Sequence, residues 1–231
     1  MLLSINDLVI QYPDNTRAID SLSFSIDTGE NVALIGANGA GKTSLLLALV
    51  GVLPPANGEI HIGDIALGKK SLREVRSRIG MVFQNPDDQL FMSSIYDDVA
   101  FGPRSFGCDE AETSERVNAA LSRLGIEHLK GRSPLKLSGG EKRLAAIATV
   151  LTMNPDLLLF DEPTAFLDPR ARRNLIATLS ELPQSKIIAT HDLAFADEMC
   201  TRVLLLQSGK LIADGVKCIL HDEALLESAG L

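Results

Sequence analysis

The stretch "GANGAGKT", residues 36–43, decides the fold because it follows the pattern G-x-x-x-x-G-K-[ST]. Glycines at these positions let the backbone wrap around a chain of phosphates, with amide N–H groups and a helix N-terminus facing the anion. The apolar run before it, Asn31–Ile35, predicts a buried strand, and Lys42–Val50 predicts a helix. A phosphate-binding loop between a strand and a helix is therefore expected.

The side chains that close this loop have separate expected roles. Lys42 would reach the β- and γ-phosphates of a nucleotide, and the Thr43 hydroxyl would hold Mg²⁺. The predicted nucleotide-binding positions of this motif are Gly36, Ala37, Asn38, Gly39, Ala40, Gly41, Lys42, Thr43 and Ser44.

A second motif lies at the end of the apolar run Leu157–Phe160. The run itself predicts another buried strand. Two acidic residues, Asp161 and Glu162, follow this run. At the carboxyl end of a strand beside the phosphate loop, Asp161 would support Mg²⁺. Glu162 would be free to polarise a water molecule for attack on the γ-phosphorus. The two motifs together predict hydrolysis of a nucleoside triphosphate.

Strand and helix patterns alternate along most of the chain, which predicts an α/β fold with a mainly parallel sheet flanked by helices. Between about residues 85 and 149 the patterns are helical only. We therefore expect a single domain, with a nucleotide-binding core at 1–84 and 150–231 and an inserted helical subdomain at 85–149.

Charge and apolar content narrow the classes of protein. The 231 residues are 45% apolar and carry a net charge of −8, and most of that charge falls between Asn85 and His128. An acidic surface is a poor match to phosphate backbones, which argues against nucleic acid as the main partner. The densest apolar stretch, Leu45–Leu53, is far shorter than the roughly 20 residues that span a bilayer. We expect no signal peptide and no membrane span.

The stretch Leu137–Glu141, "LSGGE", identifies the subclass. It precedes an expected helix at about Lys142–Leu151, so Ser138 and the glycines would form a second anion-binding helix N-terminus. An ordinary helix cap is the alternative. One nucleotide does not need two such sites on one chain.

With this stretch the sequence resembles the ATP-binding cassette (ABC) family over essentially the whole chain. The resemblance implies the nucleoside-triphosphatase core above, additional N-terminal antiparallel strands, and a signature motif whose Ser138 and Gly140 complete the ATP site of the opposite subunit. Other family markers occur in the family's order: Tyr12 for adenine stacking, Gln84 for Mg²⁺ and the attacking water, Asp168 for the dimer seam, and His191 for the γ-phosphate.

Two positions depart from the family pattern. Glu141 stands where glutamine is common and adds a negative charge near a phosphate site. Phe166 occupies a position that is usually small. Neither change removes a catalytic group, so we expect the type of reaction to be the same; the sequence does not determine the turnover rate.

The resemblance leaves more than one function to weigh. A transport ATPase is the leading hypothesis, and an ATPase acting on nucleic acid or ribosomes is the alternative. Relatives of the second kind carry long coiled coils or two cassettes, and the sequence has no heptad tract and one cassette. A small-molecule kinase would leave the signature motif and His191 unexplained.

The stretches "FQNPDDQLF" (residues 83–91) and "SSIYDDVAFGP" (93–103) resemble the energy-coupling-factor importers. This resemblance implies uptake of cobalt, nickel or a vitamin such as biotin, at the cytoplasmic face of the cell membrane. The implied partners are a substrate-binding membrane subunit and a transmembrane coupling protein. We expect Leu90 and Phe91 to anchor a helix of the coupling protein, and Asp87 and Asp88 to attract its basic residues. The alternative is that Leu90 and Phe91 pack the core of the helical subdomain itself.

Assembly follows from the two halves of the site. One chain carries both an intact phosphate loop and an intact signature motif, so two copies related by a two-fold axis would form two complete ATP sites. We therefore expect a homodimer, with a heterodimer of two related ATPases as the alternative.

Overall fold

The computed structural model describes all 231 residues, and the chain divides into two compact units. The core unit comprises Met1–Met81, Asp156–Glu162 and Gln184–Leu231. The helical unit comprises Val82–Pro155 and Pro163–Pro183. It includes the whole of the expected helical subdomain at 85–149, and in addition residues 82–84, 150–155 and 163–183, which the sequence patterns assign to the core.

The chain forms ten strands and eight α-helices. The strands are β1 (Leu3–Gln11), β2 (Arg17–Ile26), β3 (Asn31–Ile35), β4 (Asn57–Ile62), β5 (Ile65–Ala66), β6 (Ile79–Val82), β7 (Leu157–Asp161), β8 (Ser185–Thr190), β9 (Arg202–Gln207) and β10 (Lys210–Val216). The helices are α1 (Lys42–Leu49), α2 (Leu72–Arg78), α3 (Ile95–Ser105), α4 (Glu110–Arg123), α5 (Gly139–Leu151), α6 (Pro169–Glu181), α7 (Leu193–Met199) and α8 (Glu223–Ser228).

A six-stranded sheet with the order β10-β9-β3-β8-β7-β6 forms the centre of the core unit. β3 runs parallel to β8 and β9, and β7 runs parallel to β8, while β10 returns antiparallel to β9. All residues of β7 and β8 are buried, as continuous apolar runs predict for strands covered on both faces. The register aligns Ile35 with Thr190 and Asp161 with Ala189. The carboxyl ends of these strands therefore lie at one edge, where the phosphate loop begins.

A second, antiparallel sheet of the core unit has the order β2-β1-β4-β5. Its strands alternate between buried and exposed residues over part of their length, which is the pattern of a sheet with one covered face. This sheet confirms the expected N-terminal antiparallel strands. Together with the parallel sheet it confirms the predicted fold class.

In the helical unit, α3, α4 and α5 pack on one another, and α6 packs on α5. This packing explains why residues 163–183 group with the helical unit. Helix α5 begins at Gly139, before the predicted start at Lys142, because Ser138 caps it. No helix of the protein combines the length and the apolar character that crossing a bilayer requires.

Candidate active site

Close approaches of the backbone shape the phosphate loop between β3 and α1. A Cβ atom at Gly36 would lie 2.5 Å from the carbonyl oxygen of Leu206. Gly41 precedes α1 with a φ of +106°, and a Cβ atom there would collide with the carbonyl oxygen of Ala18. Only glycine tolerates both positions. The motif therefore forms a tight loop that leads directly into the N-terminus of α1.

The Lys42 side chain is buried inside this loop. Its Nζ donates hydrogen bonds to the carbonyl oxygens of Gly36 (2.6 Å) and Ala37 (3.2 Å) and lies 3.8 Å from Glu162 Oε1. Burial lowers the pKa of the Lys42 ammonium, whereas the carboxylates of Glu162 and Asp161 act in the opposite direction. The cation is thus held where the loop would surround phosphate groups.

Strand β7 places Asp161 beside the first turn of α1. Thr43 Oγ1 donates a hydrogen bond of 2.8 Å to Asp161 Oδ2, and Asp161 is buried. Hydroxyl and carboxylate oxygens are the hard ligands that Mg²⁺ prefers. These two residues therefore fit the predicted Mg²⁺ site. The third predicted ligand, Gln84, belongs to the helical unit.

Glu162 lies directly after β7, with its backbone in the left-handed region at a φ of +43°. Its buried carboxylate accepts hydrogen bonds at Oε2 from the Thr190 hydroxyl (3.0 Å) and the His191 backbone N–H (3.3 Å). Oε1 lies 2.9 Å from His191 Nδ1. A non-glycine residue holds such a backbone conformation only where its surroundings enforce it, and this strain is concentrated at functional sites. The structure therefore fixes a carboxylate between an ammonium group and an imidazole ring.

Two further predicted residues of the core unit lie at the same loop. Tyr12 follows β1, and its hydroxyl shares a hydrogen bond of 3.0 Å with Ser44 Oγ in the first turn of α1. His191 follows β8, and its side chain is 62% exposed. The core unit thus brings together six predicted residues: Tyr12, Lys42, Thr43, Asp161, Glu162 and His191.

The signature motif forms the N-terminus of α5 in the helical unit. Ser138 is the N-cap of this helix. The backbone N–H and the hydroxyl of Ser138 donate hydrogen bonds of 2.8 Å and 2.7 Å to Glu141 Oε2. These bonds lower the pKa of Glu141, the bond from the hydroxyl contributing most. Glu141 therefore completes a reciprocal capping box. The spacing S-x-x-E carries this signal in the sequence, although the sequence analysis above treats Glu141 only as added charge.

Asp168, predicted for the dimer seam, is the N-cap of α6. Its Oδ1 accepts hydrogen bonds from the backbone N–H groups of Arg170 (2.8 Å) and Ala171 (3.0 Å). The bonds from Ala171 and Arg170 lower the pKa of this carboxyl group. Asp168 lines a cavity of about 200 Å³ together with Ser138 and Gly140. The helical unit therefore brings these three predicted residues to one concave surface.

Gln84 is exposed and lies shortly after β6. Its backbone carbonyl oxygen accepts a hydrogen bond of 2.6 Å from Arg143 Nη2, and Arg143 Nη1 donates to the carbonyl oxygen of Phe83 over 2.7 Å. Arg143 is absent from the predicted site residues, because a bond to a backbone carbonyl leaves no mark on the partner's side chain.

Phe166, the second position that departs from the family pattern, has a φ of +63° and is 93% exposed.

The stretch "FQNPDDQLF" differs from the expected docking surface in two ways. Leu90 is only 6% exposed and packs inside the helical unit, so the prediction that it anchors a partner is wrong. Asp87 is already paired with Lys142, whose Nζ lies 2.6 Å from Asp87 Oδ1. Phe91 is 61% exposed and stacks edge-to-face on Phe101, with ring centroids 5.3 Å apart. Phe91 and Phe101 therefore form an exposed aromatic pair on the helical unit.

Comparison with known proteins supports the same assignment. Residues 19–165 match the ABC transporter family model. A putative ABC transporter ATP-binding protein of Geobacter sulfurreducens is 48% identical over 100% of this chain and 93% of its own length. An energy-coupling factor transporter ATP-binding protein, EcfA, of Carboxydothermus hydrogenoformans is 42% identical, covering 100% of this chain and 87% of that protein.

A solved structure gives the same result. CbiO1 from Clostridium perfringens, part of the ABC transporter complex CbiONQ, superposes with a TM-score of 0.86 and 38% identity, over 97% of this chain and 92% of that one. The phosphate loop, Asp161 at the end of β7, Glu162 after it and the capped signature helix thus occur in a chain that matches this family. The chain belongs to the ABC transporter family, as an ATP-hydrolysing subunit of the energy-coupling-factor type.

Proposed function

We propose that the chain powers uptake of a transition-metal ion such as cobalt or nickel, or of a vitamin such as biotin, through membrane partner subunits. The observation that carries the proposal is the ATP site of the core unit, in which Lys42, Glu162 and His191 surround one loop. The energy-coupling-factor resemblance of residues 83–103 supports the class of cargo. The chain would work at the cytoplasmic face of the membrane, on its surface.

The residue roles follow from the site. Lys42 binds the β- and γ-phosphates, and Glu162 is the general base that takes a proton from the attacking water. His191 orients Glu162 and contacts the γ-phosphate, while Tyr12 stacks on adenine. Thr43, Asp161 and Gln84 would hold Mg²⁺, which neutralises part of the phosphate charge when bound.

The proposed assembly is a homodimer, because one chain carries both a phosphate loop in its core unit and, in its helical unit, a concave surface with Ser138, Gly140 and Asp168. In that dimer the Ser138 hydroxyl and the Gly140 backbone of one copy bind the γ-phosphate held by the other copy. A heterodimer with a related ATPase subunit would use the same residues.

An uptake assay tests the cargo. Cells that lack their own importers would express this chain with the membrane subunits encoded beside its gene, and accumulation of radiolabelled cobalt, nickel and biotin would be measured. We expect accumulation of one of the three, and loss of that accumulation when Glu162 is replaced by glutamine. Accumulation of none, in cells where the complex assembles, would contradict the proposed cargo.

A second experiment tests docking on the aromatic pair. We propose that Phe91 and Phe101 receive a short helix of the transmembrane coupling protein. Truncating one buried aromatic anchor typically costs about 2 kcal/mol of binding free energy. The double variant Phe91→Ser with Phe101→Ser should therefore reduce co-purification and uptake by about tenfold or more. ATP turnover of the isolated chain should stay within about twofold of wild type, because neither residue belongs to the ATP site.

Val216→Ser provides the matched control, since Val216 is also a strongly exposed apolar residue and lies in the core unit. It should leave assembly and uptake unchanged. Normal recovery of the membrane subunits with the double phenylalanine variant would show that the coupling protein docks elsewhere.

A further inference from the structure

Helix α5 carries the signature motif at its N-terminus and, one turn later, an arginine that binds a distant segment. Arg143 is 2% exposed, and its two terminal nitrogens donate to consecutive carbonyl oxygens, those of Phe83 (2.7 Å) and Gln84 (2.6 Å). A planar guanidinium group with two parallel, charge-assisted bonds fixes both the position and the orientation of its acceptors. The peptide unit at Gln84 is therefore tied to α5.

Other contacts hold the rest of this segment to the same helix. Gln89 Oε1 accepts the backbone N–H of Phe83 (3.1 Å), while Gln89 Nε2 donates to the carbonyl oxygen of Ala146 (2.9 Å) and the hydroxyl of Thr149 (2.8 Å). Lys142 pairs with Asp87 at 2.6 Å. Residues 83–89 are thus bound to α5 near their start, their middle and their end.

Of these contacts, the two hydrogen bonds of Arg143 are the ones whose loss should loosen residues 83–89 the most. The pair of Lys142 and Asp87 is partly exposed, and such pairs contribute little because water screens them. Gln89 makes neutral bonds, which are weaker than charge-assisted ones. Removing the Arg143 guanidinium would leave two partly buried carbonyl oxygens without their charged donor.

We propose that Arg143 is a positioning residue, which holds Gln84 in place so that Gln84 and the signature motif on α5 act as one rigid element during ATP hydrolysis. This inference rests on the proposed role of Gln84 at the nucleotide. Arg143 would act through the backbone at Phe83 and Gln84, where its two terminal nitrogens bind.

The test compares Arg143→Met with wild type, alone and in a Gln84→Ala background. Small misplacements of a reacting group can cost about 10²-fold in rate, so Arg143→Met should lower kcat roughly 10- to 100-fold while the KM for ATP stays within about twofold. In the Gln84→Ala background the same substitution should lower kcat by less than about twofold, because the residue that it positions is gone. Losses that multiply would overturn the inference.

Arg116→Met is the matched control, because Arg116 also donates to a backbone carbonyl of the helical unit, that of Thr152 at 3.2 Å. It removes this bond, together with the ion pair of Arg116 with Glu112 at 2.7 Å, without touching residues 83–89, and should leave kcat unchanged. A loss of kcat as large as that of Arg143→Met would show a general effect of destabilisation, and the inference would fall. Arg143→Lys, which keeps the charge but loses the planar fork, should retain intermediate activity.

Hydrogen exchange on the nucleotide-free protein measures, independently of hydrolysis, how firmly Arg143 holds residues 83–90 in place. Amides within residues 83–90 should exchange at least about tenfold faster in Arg143→Met than in wild type, and at the wild-type rate in Arg116→Met. Unchanged exchange would overturn the inference, whatever the activity. Faster exchange with full turnover would also overturn it, and would leave the proposed transport function standing. If Gln84→Ala alone retained full turnover, the role of Gln84 and this inference would both be wrong.

Discussion

Replacing Glu162 with glutamine is expected to lower ATP turnover by roughly 10²- to 10⁴-fold, the usual effect of losing a general base, while ATP binding is preserved. The amide is almost the same size as the carboxylate and cannot accept a proton from water. Its oxygen can still accept the hydrogen bond from the Thr190 hydroxyl, and His191 can change tautomer to meet the amide group. The fold around the site should therefore remain.

Steady-state phosphate release and the Kd for ATP are the measurements, and Glu181→Gln, at an exposed glutamate in the last turn of α6, is the control. Turnover above about a tenth of the wild-type rate would rule out Glu162 as the base, given the size of effect expected.

The same variant tests the homodimer, because ATP that is bound but not hydrolysed should trap the closed pair. Light scattering of Glu162→Gln with Mg-ATP should show a doubling of mass. Adding Ser138→Arg should prevent it, since a long cationic side chain would occupy the proposed interface. Asp109→Ala, which removes the N-cap of α4, controls for loss of a helix cap. A monomer at high concentration under these conditions would count against the homodimer.

The second large effect is expected at Lys42. Lys42→Met removes the ammonium group from a loop where the carboxylates of Asp161 and Glu162 remain close by. ATP phosphates would then meet uncompensated negative charge. One hydrogen bond to a charged group contributes about 1.5–3 kcal/mol, so the Kd for ATP should rise roughly 10- to 100-fold. Turnover at saturating ATP should fall about 10²- to 10³-fold, as for other lost electrostatic stabilisers.

Isothermal titration and phosphate release measure these changes, and Lys69→Met, at an exposed lysine of the core unit, should change neither. Thermal unfolding of both variants shows whether the chain is folded. An ATP affinity within about twofold of wild type in Lys42→Met would contradict the assignment of Lys42 to the phosphates, since a charged contact of this kind is worth more than that.

Much of the parallel sheet was predictable because each of its strands is a short apolar run bounded by polar residues. Asn31–Ile35 forms β3 with the predicted bounds, and the predicted run Leu157–Phe160 extends by one residue, to Asp161. The grouping of α6 with the helical unit was not predictable. An amphipathic helix shows which of its faces is buried, but the sequence does not say which partner covers that face.

The docking stretch shows the same limit on a smaller scale. Leu90 and Phe91 are adjacent apolar residues, and nothing in the sequence distinguishes one from the other as a partner anchor. The structure buries Leu90 and exposes Phe91, because the chain between β6 and α3 turns one side chain inward and the other outward. Asp87, one of two consecutive aspartates, is bound by Lys142 from a helix far along the chain.

The sequence by itself predicted the chemistry proposed at the nucleotide, because the glycines, Lys42 and Thr43 of the phosphate loop stand together in one short motif. Only the tertiary structure decided what surrounds those residues. The strained backbone of Glu162 and the clamp of Arg143 on Gln84 both depend on segments about 30 to 60 residues away. Arg143 binds backbone carbonyl oxygens, which every residue has, so no pattern of side chains could reveal that contact.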